Sequence, residues 1–204
     1  MSPTLLEILA PIQDDILATR GPDPHGVNIS GIAYDSRRVT PGSVFIAVPG
    51  FQTDGHRFIE PALGAGAAAC VVERMDAAPA RDDVPLICVG NARRALALCS
   101  ARMFDWPGRA LTMVGVTGTN GKTTTTFLVE AMLAAGGRNP GLIGTIQTKI
   151  GGEVREAKNT TPESLDLQQL LSTDGLRTRM DLLTALCDAM ADDVIGLLSE
   201  AGGE

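Results

Sequence analysis

The chain has 204 residues, of which 44% are hydrophobic and 3% aromatic, and its formal net charge is −7. This length allows one large or two small domains, and the hydrophobic content is that of a globular protein with an aliphatic core. The negative charge, with no local block of basic residues, argues against binding to nucleic acid or to an anionic membrane surface.

The first half of the chain alternates strand-like and helical patterns. Residues 4–18 have helical apolar spacing, although Pro11 would break or bend this helix. The predicted strands that follow are 29–34, 43–48, 67–73 and 85–89, and the predicted helices are 57–66 and 91–104. Asn91 is the expected N-cap of the last helix. The alternation predicts a small α/β domain over residues 25–106.

A glycine-rich loop lies between a predicted buried strand at 111–114 and a predicted helix whose apolar residues run from Phe127 to Leu133. The loop reads Gly115-Val116-Thr117-Gly118-Thr119-Asn120-Gly121-Lys122-Thr123-Thr124. Glycines here let the backbone approach a polyphosphate, and the start of a helix favours negative charge. We therefore predict an ATP site in which Lys122 reaches the outer phosphates and the Thr123 hydroxyl binds Mg²⁺.

The spacing of this loop departs from the strict P-loop pattern, because Val116 occupies the position of the first consensus glycine. One alternative is an ordinary glycine-rich turn with an incidental lysine, but it does not explain the Lys-Thr-Thr sequence that follows. A dinucleotide-binding loop is disfavoured because no acidic residue ends a second strand about 20 residues further on.

The second half continues the α/β pattern before it changes character. A strand is predicted near 141–146, a hairpin over 147–158 that turns at Gly151-Gly152, and a helix over 164–171. Apolar residues then recur at helical spacing over 180–198, which predicts an amphipathic helix near the C-terminus.

The cysteines and the hydropathy pattern bear on the cellular compartment. Cys70, Cys88, Cys99 and Cys187 are scattered, without metal-ligand spacing, so buried reduced thiols are the expected state rather than disulfides or a zinc site. The N-terminus lacks a basic segment followed by an apolar core, and no apolar run reaches about 18 residues. We expect a cytoplasmic protein.

Three motifs together resemble one family. Residues 117–126 are similar to the ATP loop of the Mur ligases and of related folylpolyglutamate synthetases, which share the unusual glycine spacing. The stretch from Tyr34 to His56, with its Asp-Ser-Arg and Asp-Gly-His elements, resembles the N-terminal uridine-nucleotide domain of Mur ligases. Residues 159–164, Asn-Thr-Thr-Pro-Glu-Ser, resemble the substrate loop of the branch that makes UDP-N-acetylmuramoyl-tripeptide. The similarity covers about residues 25–172.

The resemblance implies a fold and a reaction. The expected α/β fold has a UDP-sugar-binding domain over 1–107, the start of a P-loop central domain with a parallel sheet over 108–172, and a divergent helical tail over 173–204. In this family, ATP phosphorylates the D-glutamate carboxylate of a UDP-N-acetylmuramoyl-dipeptide, and the amine of diaminopimelate or lysine then attacks the acyl phosphate. The implied ligands are ATP, Mg²⁺ and that small-molecule substrate.

The resemblance also assigns residues, position by position. The ATP and Mg²⁺ site would comprise Gly118, Thr119, Asn120, Gly121, Lys122, Thr123 and Thr124, with Lys122 as the catalytic residue and Thr123 on the metal. Contacts to the UDP-sugar would come from Tyr34, Ser36, Phe51, Gln52 and Thr53. Contacts to the muramoyl-peptide end would come from Asn159, Thr160 and Thr161.

Structural roles remain alternatives for several of these residues. Asp35-Ser36 can simply end a strand, and Thr160-Thr161-Pro162 can be a helix entry with a threonine cap. His56 has no evident carboxylate or cysteine partner, so a surface or helix-entry position is expected rather than a catalytic one. Arg37 and Arg38 can steer a diphosphate or face solvent.

The resemblance stops after Ser172. The family's further metal ligands, its carbamylated lysine and its amino-acid-binding domain have no match here, so we expect the chain alone to be inactive in ligation. The abrupt change at Thr173 favours a disrupted gene. The competing hypotheses are a noncatalytic UDP-sugar-binding module over 25–106 and a different P-loop enzyme such as a small kinase.

Overall fold

The computed structural model describes residues 2–50, 53–81, 83–144, 146–150, 153–156, 162–172 and 181–185. The chain divides into two compact units, Met1–Asp105 and Trp106–Glu204. Each unit contains a five-stranded sheet with helices packed against it. The α/β class predicted from the sequence is confirmed, and both units contain parallel strands, which were predicted for the second unit only.

The first unit contains strands β1 (Ile16–Arg20), β2 (Gly31–Ala33), β3 (Ser43–Ile46), β4 (Ala69–Val72) and β5 (Leu86–Val89), and helices α1 (Leu5–Leu9), α2 (Ile59–Gly64) and α3 (Ala92–Met103). The strand order is β1-β5-β4-β3-β2. Strands β2 to β5 are parallel, and β1 pairs antiparallel with β5 at the edge. The carboxyl ends of β2, β3, β4 and β5 therefore lie at the same edge of the sheet.

Three central strands of this sheet are buried along their whole length, since every residue of β3, β4 and β5 is buried. On one face, Phe45 and Cys70 pack in a cluster with Ile59 and Ala62 of α2. Side chains alternate between faces, and α3 packs against β2, β3 and β4 as well as against α1. Helices on both faces explain why these strands read as continuous apolar runs instead of alternating patterns.

The single helix predicted over 4–18 is wrong beyond its first turns. A capping box between Thr4 and Glu7 starts α1, and a 3-10 turn over Ala10–Asp15 follows it, with Pro11 near its start. Proline lacks the N–H that an α-helix needs at that position. Residues from Ile16 onward instead form β1, because pairing with β5 overrides the local helical spacing.

The second unit contains β6 (Thr112–Val116), α4 (Lys122–Ala135), β7 (Pro140–Ile143), β8 (Gln147–Ile150), β9 (Glu153–Glu156), α5 (Ser164–Leu171) and β10 (Asp181–Ala185). The strand order is β6-β10-β7-β8-β9, with β6, β10 and β7 parallel. Strands β7, β8 and β9 pair antiparallel, which confirms the predicted hairpin. Helix α5 has the predicted bounds.

The predicted helix over 180–198 is wrong for residues 181–185, which form β10 between β6 and β7. The segment Asp-Leu-Leu-Thr-Ala is a short apolar run, and periodicity alone does not separate such a run from part of a helix. Strand partners on both sides supply the backbone hydrogen bonds that decide the outcome. The remainder of the predicted helix lies outside the described residues.

Strand β6 was expected to be buried, but Thr112, Val114 and Gly115 are exposed. The strand lies at the edge of the described sheet and pairs with β10 on one side. A small core forms on one sheet face, where Leu167 and Leu171 of α5 pack against Ile143. The apolar stripe predicted on α4 is largely accessible, and Leu128 and Met132 are 61% and 71% exposed.

Candidate functional site

Two glycines of the loop in the second unit have positive φ values. Gly118 and Gly121 have φ values of 141° and 79°, which L-residues with side chains rarely adopt. Gly121 is the N-cap residue of α4, and this helix start has no side-chain cap. A Cβ placed on Gly121 would meet nothing within 4 Å. The first N–H groups of a 14-residue helix thus face an accessible loop, which suits an anion.

Lys122 lies across this loop. Its Nζ donates a hydrogen bond to the backbone carbonyl oxygen of Gly118, four residues earlier. Its side chain is half-buried, whereas Thr119, Asn120 and Thr124 are exposed. A phosphate bound over the loop would compete with the Gly118 carbonyl for the ammonium group, and the charged oxygen is the stronger acceptor.

Thr123 lies one residue into α4 and is half-buried. The hydroxyl of Thr126 donates to the Thr123 carbonyl oxygen at 2.9 Å, a contact within the first turns of the helix. Mg²⁺ in nucleotide sites is commonly held by one or two protein oxygens together with phosphates and water. The Thr123 hydroxyl fits that role, and no group of three or more potential metal ligands occurs among the residues that the structure describes.

A second set of predicted residues lies at the carboxyl edge of the first unit's sheet. Tyr34 directly follows β2, and Ser36 begins a 3-10 turn over Ser36–Arg38. Both residues are half-buried, whereas Thr53, which follows β3 along the chain, is exposed. Ligands of open α/β sheets bind at the carboxyl ends of the strands. The fold thus brings Tyr34, Ser36 and Thr53 to the edge where a ligand is expected.

Asp35 and Arg37, the neighbours of Ser36 in the chain, hydrogen-bond to each other. Asp35 caps the 3-10 turn by accepting the Arg37 N–H at 3.0 Å, and its carboxylate also accepts from the Arg37 guanidinium at 2.6 Å. The guanidinium hydrogen bond holds the pKa of Asp35 below its usual value. The Arg37 side chain is 86% exposed, as the solvent-facing alternative expected.

His56 is buried, with 6% of its surface exposed, so the expected surface position is wrong. It lies in a 3-10 turn, Gly55–Phe58, which agrees with the helix-entry alternative. Its Nδ1 is 2.7 Å from a carboxylate oxygen of Asp54, and its Nε2 accepts from the backbone N–H groups of Glu73 and Arg74. The sequence signal was the Asp-Gly-His spacing, since Asp side chains bond the backbone two residues on.

The start of α3, at the same sheet edge, is already occupied by protein groups. The Asn91 side chain accepts from the Arg94 N–H at 2.8 Å, which confirms the predicted N-cap. A carboxylate oxygen of Glu73 accepts from the Ala92 N–H at 2.7 Å. Helix α3 therefore differs from α4, whose start carries no side-chain cap.

Five predicted site residues, Phe51, Gln52, Asn159, Thr160 and Thr161, lie outside the described residues. The remaining predicted residues form two sets, one in each unit: the contiguous loop from Gly118 to Thr124, and the group of Tyr34, Ser36 and Thr53. Among the described residues, none of the helices is both long enough and apolar enough to span a bilayer.

Two models of the Mur ligase family match the chain. The model of the Mur ligase family, catalytic domain, matches residues 28–102, and that of the Mur ligase middle domain matches residues 116–179. The second match continues beyond Ser172, where the similarity was expected to stop.

Relatives of known sequence agree. A UDP-N-acetylmuramyl-tripeptide synthetase from Roseiflexus sp. is 49% identical over 150 residues, which cover 72% of this chain and 29% of that protein. A UDP-N-acetylmuramoyl-L-alanyl-D-glutamate--2,6-diaminopimelate ligase from Geobacillus thermodenitrificans is 47% identical over 150 residues, covering 74% of this chain and 29% of that protein. The chain thus spans less than a third of the length of these relatives.

Solved structures share the fold. A UDP-N-acetylmuramoyl-L-alanyl-D-glutamate--2,6-diaminopimelate ligase covers 100% of this chain and 39% of its own, with a TM-score of 0.68 at 22% identity. A MurF ligase from Thermotoga maritima, solved in complex with ADP, covers 83% of this chain and 34% of its own, with a TM-score of 0.51 at 26% identity. The two domain models and the relatives of 49% and 47% identity together show that the chain belongs to the Mur ligase family.

Proposed function

We propose that this chain carries the UDP-sugar and ATP subsites of the ligase that adds the third amino acid to UDP-N-acetylmuramoyl-L-alanyl-D-glutamate. The observation that carries the ATP assignment is the uncapped start of α4 behind two positive-φ glycines, with Lys122 beside it. The names of the two relatives at 49% and 47% identity support the choice of the third step.

The proposed chemistry has two steps. A carboxylate oxygen of the D-glutamate attacks the γ-phosphorus of ATP, so that ADP leaves and an acyl phosphate forms. The amine of diaminopimelate or lysine then attacks the acyl carbon, and phosphate and a proton leave as the amide forms. Both steps are proposed for the whole ligase, because the chain spans less than a third of its relatives.

In this proposal the loop residues bind and orient the nucleotide. The N–H groups from Gly118 to Thr124 contact the phosphates, and the Lys122 ammonium moves from the Gly118 carbonyl to the β- and γ-phosphates. Mg²⁺, held by phosphate oxygens and the Thr123 hydroxyl, would neutralise charge on the transferred phosphoryl group. Phosphoryl transfer depends mainly on such positioning and neutralisation.

The other predicted site residues bind the second ligand in this proposal. Tyr34, Ser36 and Thr53, together with Phe51 and Gln52, would contact the UDP-sugar at the carboxyl edge of the sheet. Asn159, Thr160 and Thr161 would contact the muramoyl-peptide end.

The buried free thiols of Cys70 and Cys99 suit a reducing compartment, and we propose that the protein is located in the cytoplasm.

Titration calorimetry of the purified chain tests the proposal, with Mg-ATP and UDP-N-acetylmuramoyl-L-alanyl-D-glutamate as separate ligands. We expect both to bind. Lys122→Ala should weaken Mg-ATP binding at least about tenfold, since a charge-assisted hydrogen bond contributes about 1.5–3 kcal/mol, and should leave the UDP-sugar affinity unchanged.

Lys122→Arg is the matched variant, because it keeps the positive charge but changes the geometry of the donors. We expect it to recover only part of the affinity for Mg-ATP. Binding of the UDP-sugar without any binding of Mg-ATP would instead favour a noncatalytic sugar-nucleotide module. If the wild-type chain binds neither ligand, the proposed function is wrong.

A further inference from the structure

We infer that His56 is a positioning residue of the UDP-sugar subsite, acting through the loop that precedes it and not by contact with the ligand. The inference rests on the proposed function, because it concerns the same subsite. It starts from the burial of His56 and from three hydrogen-bonding partners on two different segments.

The partners determine the tautomer of the ring. Backbone N–H groups only donate, and those of Glu73 and Arg74 lie 3.1 and 3.2 Å from Nε2. Nε2 is therefore the acceptor, which places the ring proton on Nδ1, where it is donated to Asp54 at 2.7 Å. One neutral tautomer satisfies all three contacts.

The Asp54 carboxylate is held by more than the ring. It also accepts the backbone N–H of His56 at 3.0 Å, and its other oxygen accepts from the Arg74 guanidinium. Asp54 and His56 together link the chain before α2 to the residues that follow β4. Because β3 and β4 are neighbouring parallel strands, this link crosses the sheet edge where Tyr34 and Ser36 also lie.

The segment that His56 anchors contains the proposed ligand residue Thr53. Pro49 and Asp54 form an isolated antiparallel bridge, and the N–H of Gly50 donates to the Thr53 carbonyl at 3.0 Å. The N–H of Gly55 donates to the Val48 carbonyl at 3.1 Å, and a Cβ on Gly55 would lie 2.6 Å from that oxygen. The base of the loop is therefore closely packed, and His56 connects this base to the residues that follow β4.

His25 provides an internal comparison. It follows Asp23 by two residues, as His56 follows Asp54, and both histidines bond the preceding carboxylate through the backbone N–H and Nδ1. The His25 side chain, however, is 74% exposed, whereas that of His56 is 3% exposed. The Asp-x-His turn is thus common to both, and the buried ring that accepts from the N–H groups of Glu73 and Arg74 is that of His56.

Three substitutions of His56 test the roles of the two ring nitrogens separately. His56→Ala removes both, His56→Asn keeps a donor near Asp54, and His56→Gln places an amide oxygen where Nε2 accepts the two backbone N–H groups. Calorimetry with UDP-N-acetylmuramoyl-L-alanyl-D-glutamate should show affinity reduced about tenfold or more for Ala and Asn, and within about threefold of wild type for Gln. Mg-ATP affinity should be the same in all three.

His25→Ala is the matched control and should leave the affinity for the UDP-sugar unchanged. Nitrogen NMR of the imidazole gives a second measurement, which should show His56 protonated at Nδ1. A His56→Ala chain that is folded and binds the UDP-sugar as tightly as wild type overturns the inference, as does a proton on Nε2. A wild-type chain that binds no UDP-sugar overturns the proposed subsite along with it, so the two failures are distinguishable.

Discussion

The carboxylate of Glu73 accepts a 2.7 Å hydrogen bond from the backbone N–H of Ala92, at the first residue of α3. The same helix start is capped by Asn91, which bonds the N–H of Arg94. Two side chains thus satisfy donors that would otherwise be unpaired, and negative charge is favoured at this end of the helix. A nucleotide phosphate would have to displace Glu73 to bind there.

Removing these two caps should therefore destabilise the first unit. Asn91→Ala should lower the free energy of unfolding by about 1 kcal/mol, and Glu73→Ala by about 1–2 kcal/mol, since a buried donor loses its partner. Urea unfolding followed by circular dichroism measures both. Because the caps share one helix start, the loss of stability in the double variant should differ from the sum of the two single losses.

Glu60→Gln, at an exposed ion pair, is the control and should change stability by less than about 0.5 kcal/mol. Equal effects of Glu60→Gln and Glu73→Ala would contradict the capping role.

Gly121→Ala should cost about 1–2 kcal/mol of stability in the second unit and weaken binding of Mg-ATP. Its φ of 79° is unfavourable for any residue with a Cβ, although that Cβ would meet no atom within 4 Å. The strain is thus purely a backbone effect.

The control is Gly64→Ala, because Gly64 is helical and its added Cβ would also meet nothing within 4 Å. That variant should be neutral or stabilising by up to about 1 kcal/mol. Thermal unfolding and calorimetry check both, and a Gly121→Ala chain with normal affinity and stability would refute the claim.

The thiols of Cys70 and Cys99 should be unreactive in the folded chain. Burial raises the pKa of each to about 12, so very little thiolate forms at pH 8. Iodoacetamide labelling followed by peptide mass analysis should find both unmodified in buffer and modified in urea. Since the folded pKa values lie above the ordinary 9.0, their stabilising contribution is present below pH 9 and declines as the pH rises towards 12. Equal labelling rates in buffer and in urea would disprove this expectation.

Asp54 should contribute to the loss of folding stability at low pH. The N–H of His56 is the main cause that lowers its pKa below the ordinary 3.8, and the His56 ring and Arg74 act in the same direction. A depressed folded pKa stabilises the folded state above about pH 3.8, and this contribution is lost as the pH falls through the lower folded value. Urea unfolding at a series of pH values should therefore show a smaller loss of stability below pH 3.8 for Asp54→Asn than for wild type. Asp76→Asn controls for the loss of one negative charge, and parallel curves for Asp54→Asn and wild type would refute the role.

Local sequence patterns were enough to predict several elements of the structure. Helix α5 has the predicted bounds, and Asn91 caps α3 as expected, because apolar periodicity and, for α3, a polar cap are signals contained within a few residues. The same holds for the loop from Gly118 to Gly121, where glycine supplies the φ values that the turn requires. These features depend on conformational preferences of neighbouring residues.

Other features depended on contacts between distant segments. Residues 181–185 form a strand because β6 and β7 lie on either side, and residues 16–20 do so because β5 provides a partner. The burial of His56 follows from the backbone N–H groups of Glu73 and Arg74, which are 17 and 18 residues away in sequence. No local pattern encodes such partners.

The amino-acid sequence by itself determined the α/β class, the position of the glycine-rich loop between a strand and a helix, and the similarity to Mur ligases, since each depends on contiguous residues. Only the tertiary structure decided that β6 lies at the edge of the sheet formed by the described residues, that α4 starts without a side-chain cap while α3 has one, and that His56 hydrogen-bonds to residues following β4. The reason is physical: burial and hydrogen-bond partners are properties of the folded arrangement, and short apolar or polar segments are compatible with several of them until their neighbours are in place.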